Sequence, residues 1–134
     1  MSIYLVFILM IFAHIVDDYY LQGILASMKQ KSWWEKQYTS LRDEEFYGKD
    51  YIVALIMHGL SWSIMISLPI FFFTNWNPYN IVYFMIIFNT ILHAVTDNQK
   101  ANAKSINLWQ DQLIHLSQIL ITWGLIHATY ESII

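Results

Sequence analysis

Apolar residues run along this chain in four long blocks, approximately 3–25, 51–74, 80–96 and 108–126, separated by polar stretches. Each block is close to the ~20 residues that a helix needs to cross a bilayer. The pattern predicts an all-α fold, an integral membrane four-helix bundle forming a single membrane domain over residues 1–134. In the first block an uninterrupted apolar run ends at Val16, and Asp17 and Asp18 intervene before Tyr19, Tyr20 and Leu21 resume it. No Lys or Arg precedes that run and no A-x-A site follows it. The segment therefore reads as a retained helix with its acidic face turned inward, rather than as a cleaved signal peptide.

The connections carry the charge. Residues 29–50 hold five of the seven basic and five of the ten acidic side chains, and form a solvent-facing loop, not a second domain. Trp33, Trp34, Tyr38 and Leu41 recur there at near-helical spacing. They fit either a short interfacial helix or an irregular loop with aromatic anchors at headgroup level. The turn at 75–80 is short, uncharged and rich in helix breakers. Lys100 and Lys104, the other two basic residues, lie between the third and fourth blocks. Every Lys and Arg thus falls on one side, which the positive-inside rule assigns to the cytoplasm and which predicts an N-out, C-out topology.

Composition fits this environment. With 57% hydrophobic, 17% aromatic and 13% charged residues and a mean hydropathy of +0.40, the chain is too apolar for an ordinary soluble domain. A net charge of −3, with no basic stripe interleaved with aromatics, argues against nucleic acid as a partner. The absence of cysteine removes disulfides, thiolate nucleophiles and Cys-type metal ligation. A metal would have to be held by nitrogen and oxygen.

Donors for such a metal recur at helical spacing: His14 with Asp18, a lone His58, His93 with Asp97, and Asp111 with His115. Residues i and i+4 share a helix face, so each pair can aim two ligands at one spot. Ionisable groups in apolar spans are expensive and mark function by default. In the predicted topology all of them fall toward the cytoplasmic ends of the four spans, whereas His127, near the opposite end, is incidental. Helix bundles build metal centres from inward-projecting carboxylates and histidines on facing helices. The donors predict a divalent metal site, with two ions favoured and zinc ahead of manganese or iron. Asp111 either ligates or orients a histidine. Asp17, beside Asp18 and ranked below it, is a ligand, an acceptor behind one, a general base, or simply an interfacial carboxylate. Lys100 lies seven residues after His93 on nearly the same face, and either holds an anionic group near the metals or snorkels to the surface. Asn89, Gln22 and Gln112 are placed to donate to ligands or to bridge helices. No G-x-S-x-G elbow, phosphate loop or H-E-x-x-H motif is present.

Three motifs in order, His14-Ile-Val-Asp-Asp18-Tyr-Tyr-Leu-Gln22, His93-Ala-Val-Thr-Asp97-Asn-Gln-Lys100 and Asp111-Gln112-Leu-Ile-His115, resemble the signature of an uncharacterised family of small multi-pass membrane proteins of bacteria and their phages. That family carries an H-x-x-x-D-F-x-L-Q motif, a lone histidine, then H-x-x-x-D-x-x-K and D-Q-x-x-H. This chain departs from it at Tyr19, where Phe is usual, and in its long charged loop. More remotely the pattern is similar to membrane-bound metal-dependent hydrolases of bacterial inner membranes. The resemblance implies a multi-pass protein of the bacterial inner membrane, encoded by a bacterium or its phage, and hydrolysis without a named substrate.

The combined expectation is a membrane-embedded metallohydrolase. His14, Asp18, His58, His93, Asp97 and His115 bind metal, Asp111 ligates or orients, and Asp17 or Asp111 serves as general base. The metal lowers the pKa of a water toward ~7 and polarises a phosphoryl or acyl oxygen. The expected partners are membrane lipid, an amphiphilic or lipid-linked ester or phosphoester as substrate, and, left open, a second copy of the chain. Two alternatives belong to other classes. One is a non-catalytic metal-binding membrane protein that docks a partner, and the other is a metal or proton transporter.

Overall fold

The computed structural model describes residues 2–132; among them the chain is 82% helical and contains no strand. Helix α1 (Ile3–Ile15) starts at Ser2, whose hydroxyl accepts the Leu5 amide. It runs directly into a π-helical turn, Val16–Leu21. Short helices α2 (Leu25–Met28), α3 (Lys31–Glu35) and α4 (Leu41–Tyr47) follow. Two long helices, α5 (Asp50–Phe73) and α6 (Asn80–Asn98), come next, and a second π turn, Gln99–Ala103, extends α6. The last helix is α7 (Leu108–Glu131). The polar stretch between the first two apolar blocks is thus partly ordered, and α4 opens with a reciprocal cap between Ser40 and Asp43.

Three stretches, Ile3–Leu21, Leu41–Phe73 and Asn80–Ala103, are long and apolar enough to cross a membrane. Helix α7 has 24 residues, as many as α5. Gln110, Asp111, Gln112, His115 and Gln118 crowd its first half, however, and its hydropathy falls below that of the other three.

The long helices pack in a ring, α1 on α5, α5 on α6, α6 on α7 and α7 on α1. Inside it Val6, Met10, Trp62, Ile66, Ile70, Val82, Ile119 and Ile126 are wholly shielded. Outside, Leu5, Ile8, Phe12, Ile56, Phe84, Ile87, Ile91 and Leu120 are exposed, an apolar girdle far larger than a water-facing surface carries. Pro69 lies within α5 and leaves one carbonyl of that helix without its usual donor. Nearby, Ser63 and Ser67 return their hydroxyls to the carbonyls of Gly59 and Ser63.

Gly59 sets the spacing that matters for the site. A Cβ there would stand 2.7 Å from the Thr90 carbonyl oxygen and 3.4 Å from the Ala94 nitrogen, so α5 and α6 touch backbone to backbone. Its neighbour His58 meets His93 at this crossing, with ring centroids 4.9 Å apart.

Candidate metal centre

Four structural devices deliver the polar side chains to one place. In the first π turn each residue advances less around the axis than in an α-helix, and the adjacent Asp17 and Asp18 are both buried. The Gly59 crossing brings His58 to His93. Asp97 follows His93 by one turn on α6 and is also buried. Helix α7 is capped reciprocally by Asn107 and Gln110, which places Asp111 in its first turn, where the helix dipole favours a carboxylate. His115 lies one turn further in.

Two groups of three donors result, each with its atoms within 4.8 Å of one another: Asp18, His58 and His93, and His93, Asp97 and His115. All five residues are buried, and either group could hold a metal ion. His58 Nε2 is 3.2 Å from Asp18 Oδ1 and 3.6 Å from Asp97 Oδ2. His115 Nε2 is 3.4 Å from Asp97 Oδ1 and 3.3 Å from Asp111 Oδ1. His93 belongs to both groups. A neutral imidazole has one lone pair, so it completes one group at a time.

The His93 ring is clamped between Trp62, with centroids 4.4 Å apart, and His115, 4.0 Å away. His115 Nδ1 donates to Gln118 Oε1 at 3.1 Å. Gln118 in turn donates to Asn89, and Asn89 to the Thr122 hydroxyl. This chain of hydrogen bonds holds the ring by Nδ1 and turns Nε2 toward the carboxylates.

His14 stands differently. Its Nδ1 accepts from Trp62 Nε1 at 2.8 Å, so its Nε2 donates to Gln112 Oε1 at 3.1 Å. Both ring nitrogens are occupied and the residue joins neither donor group. Its i, i+4 neighbour Asp18 meets it at Gln112, but the bonds to Trp62 and Gln112 leave His14 no nitrogen for a donor group. Gln112 also donates to Asp18 Oδ2 at 3.0 Å and Asp111 Oδ2 at 3.1 Å, tying three site residues together. Asp17 accepts from Ser61 at 2.8 Å, and its other oxygen lies 3.7 Å from His58 Nδ1. It backs the histidine from the side away from Asp18. His127 sits at the far end of α7 against Tyr4 and Trp123.

Two observations test whether a cation fits. Of seven buried side-chain polar atoms without a hydrogen-bond partner among the described residues, six belong to this cluster: Asp17 Oδ2, His58 Nδ1, both ring nitrogens of His93, Asp111 Oδ1 and His115 Nε2. Each such atom costs about 1–3 kcal/mol unless something satisfies it. Charge makes the second test. Asp17, Asp18, Asp97 and Asp111 are buried, and two ammonium groups answer them, Lys29 at 2.5 Å from Asp97 Oδ2 and Lys100 at 2.6 Å from Asp111 Oδ2. Counting the imidazoles as neutral, as metal ligands are, two negative charges remain, which one divalent cation would balance. Buried charge is stable only when paired. The nitrogen and oxygen donors suit zinc, manganese or iron.

Lys29 is the site residue that the sequence pattern misses, because it opens the polar stretch and reads as a loop lysine. It is buried, and Asn102 holds its backbone by donating to the Lys29 carbonyl and accepting the Lys31 amide. The only linear signal is its place directly after the first span. Trp62, Gln118 and Gly59 were equally silent, since their roles arise between helices.

A polar cleft of about 400 Å³ reaches the cluster from the end where the two π turns lie, lined by Asp18, Gln22, Lys100 and Gln112. Comparison with protein-family models, curated proteins and solved structures finds no match to this chain. The resemblance noted above therefore rests on the three motifs alone.

Proposed function

We propose that this protein is a membrane-embedded metal-dependent hydrolase that acts on an amphiphilic or lipid-linked ester or phosphoester. The proposal includes a four-helix bundle spanning the membrane, N-out and C-out, with the centre near the cytoplasmic leaflet of a bacterial inner membrane. The observation that carries it is the polar cleft ending on Asp18, a member of one donor group, with the Lys100 ammonium on its wall. A centre that opens on one side to a cleft of substrate size suits chemistry better than a sealed clamp does.

A divalent ion held by Asp18, His58 and His93, or by His93, Asp97 and His115, supplies Lewis acidity toward a carbonyl or phosphoryl oxygen and lowers the pKa of water. The chain's own groups do the rest. Lys100 faces the cleft and offers its ammonium to an anionic oxygen, while its bond to Asp111 holds it in place. Asp111 keeps Oδ1 unbonded beside His115 and is the better placed general base. Asp17 lies behind His58 and is a positioning residue for that ring. Gln112 orients Asp18 and Asp111 together.

Transport fits less well, because the buried polar chain through Gln118 and Asn89 stops at Thr122, and Val6, Ile70, Val82 and Ile126 close the interior beyond it. A metal that only clamps the helices is the second reading, favoured by the complete burial of His93 and His115. Turnover separates the two. Purified protein in detergent, supplied with zinc or manganese, should release fatty acid or phosphate from a panel of ester and phosphoester amphiphiles. That activity should be lost in Asp18→Asn and retained in His127→Ala. Stoichiometric metal with no turnover across the panel would establish the clamp.

A further inference from the structure

We infer that the substrate reaches the centre sideways from the bilayer, as an amphiphile with an anionic head whose hydrocarbon chain lies in the groove between α1 and α7. This rests on the hydrolase reading and names how its substrate is held. The groove has a volume of about 510 Å³, and Ile11, Ile15 and Leu116 form its apolar walls. It does not end blindly. Tyr19, Tyr20 and Gln112 line both this groove and the polar cleft beside the donor cluster. The two spaces therefore share a boundary, apolar on the lipid side and polar on the site side.

The chemistry along that path matches an anionic amphiphile. From Tyr19 back to Ile11 the groove follows the first π turn and the end of α1 for about 10 Å, enough for the upper part of a hydrocarbon chain whose remainder continues into lipid. Tyr19 and Tyr20 are exposed at the junction, where aromatic rings with polar tips favour headgroup depth. Past them stand Gln22 and Lys100, whose side chain is 36% accessible. Gln112 is the partition between chain and head, and its amide is already bonded to His14, Asp18 and Asp111. His14, satisfied by Trp62 and Gln112, lines the groove without offering a free nitrogen. Two other lateral clefts, on α5 and α6 and on α1 and α5, share no lining residue with the polar cleft.

The test uses the full-length protein in lipid nanodiscs and an alkyl phosphate carrying a photoreactive diazirine on its chain. After irradiation, labelled peptides are mapped by mass spectrometry and the metal content of the same sample is measured. Labels should concentrate on the α1 and α7 segments that hold Ile11, Ile15 and Leu116. Leu116→Trp and Ile15→Trp, which plug the groove from opposite walls, should each lower that labelling about tenfold. Ile56→Trp, in the cleft on α5 and α6, should leave it unchanged. Even labelling of every lipid-facing helix, or labelling unaffected by both plugs in folded protein, overturns the inference. Groove labelling without bound metal sustains the groove and overturns the metal reading. Bound metal without groove labelling does the opposite.

Discussion

The same four helices build two interiors that obey different rules. At one end Val6, Ile66, Ile70, Val82 and Ile126 fill the space between helices and leave nothing unsatisfied. At the other, four carboxylates, four histidines and a lysine are buried together, and six polar atoms lack a partner. Trp62 is the boundary, belonging to the apolar core while donating to His14 and stacking on His93. Helix ends made only for stability would repeat the first interior. The second is retained at a free-energy cost, and the charge left over is one that a divalent cation could offset.

If the two interiors are separate in this sense, substitutions should divide into those that move stability alone and those that move metal binding. The largest effect is expected for Asp97→Asn, which strands the buried Lys29 ammonium. It should cost about 3–5 kcal/mol, read as a lower thermal midpoint in detergent, and it should reduce metal content as well. Ile66→Ala should lower stability by about 2–3 kcal/mol through the cavity it leaves, with metal stoichiometry unchanged. Loss of metal in that variant would erase the distinction between the interiors.

Gly59→Ala probes the seam between them. The added methyl meets the Thr90 carbonyl, so α5 and α6 must part, at about 1–3 kcal/mol. Because His58 and His93 separate with the helices, metal affinity should fall too. Gln118→Leu keeps the packing volume but frees His115 Nδ1. It should weaken metal binding by about 10–100-fold, measured by competition with a chelating dye, and lower stability by about 1–3 kcal/mol because His115 Nδ1 and Asn89 Oδ1 lose their partner. His127→Ala, outside both the core and the cluster, should change stability by less than about 0.5 kcal/mol and leave metal content unaltered.

Much of this was legible in the linear pattern where local physics decides. The long helices lie within a few residues of the apolar blocks, because the breaker-rich turn at 75–80 and the polar stretches leave few other places to end them. The spacings of His93 with Asp97 and of Asp111 with His115 carried over directly, since both pairs sit in regular α-helix. His14 and Asp18 also converge, on Gln112, but Trp62 and Gln112 take up both His14 nitrogens, and those partners lie on other helices. Lys29 reads as a charge at a loop edge until the fold shows Asp97 beside it. The same holds for Trp62 and Gln118, whose partners lie on other helices. Tertiary proximity, not periodicity, assigns these roles.

The most direct test is elemental mass spectrometry of the purified, detergent-solubilised protein after dialysis, beside His93→Ala and Asp18→Ala. A stoichiometric divalent metal in the wild type, lost in both variants while their helical content is preserved, is the predicted result. No metal in any of the three folded proteins, even after exposure to zinc, manganese or iron, would contradict the account and reduce the cluster to a polar packing network.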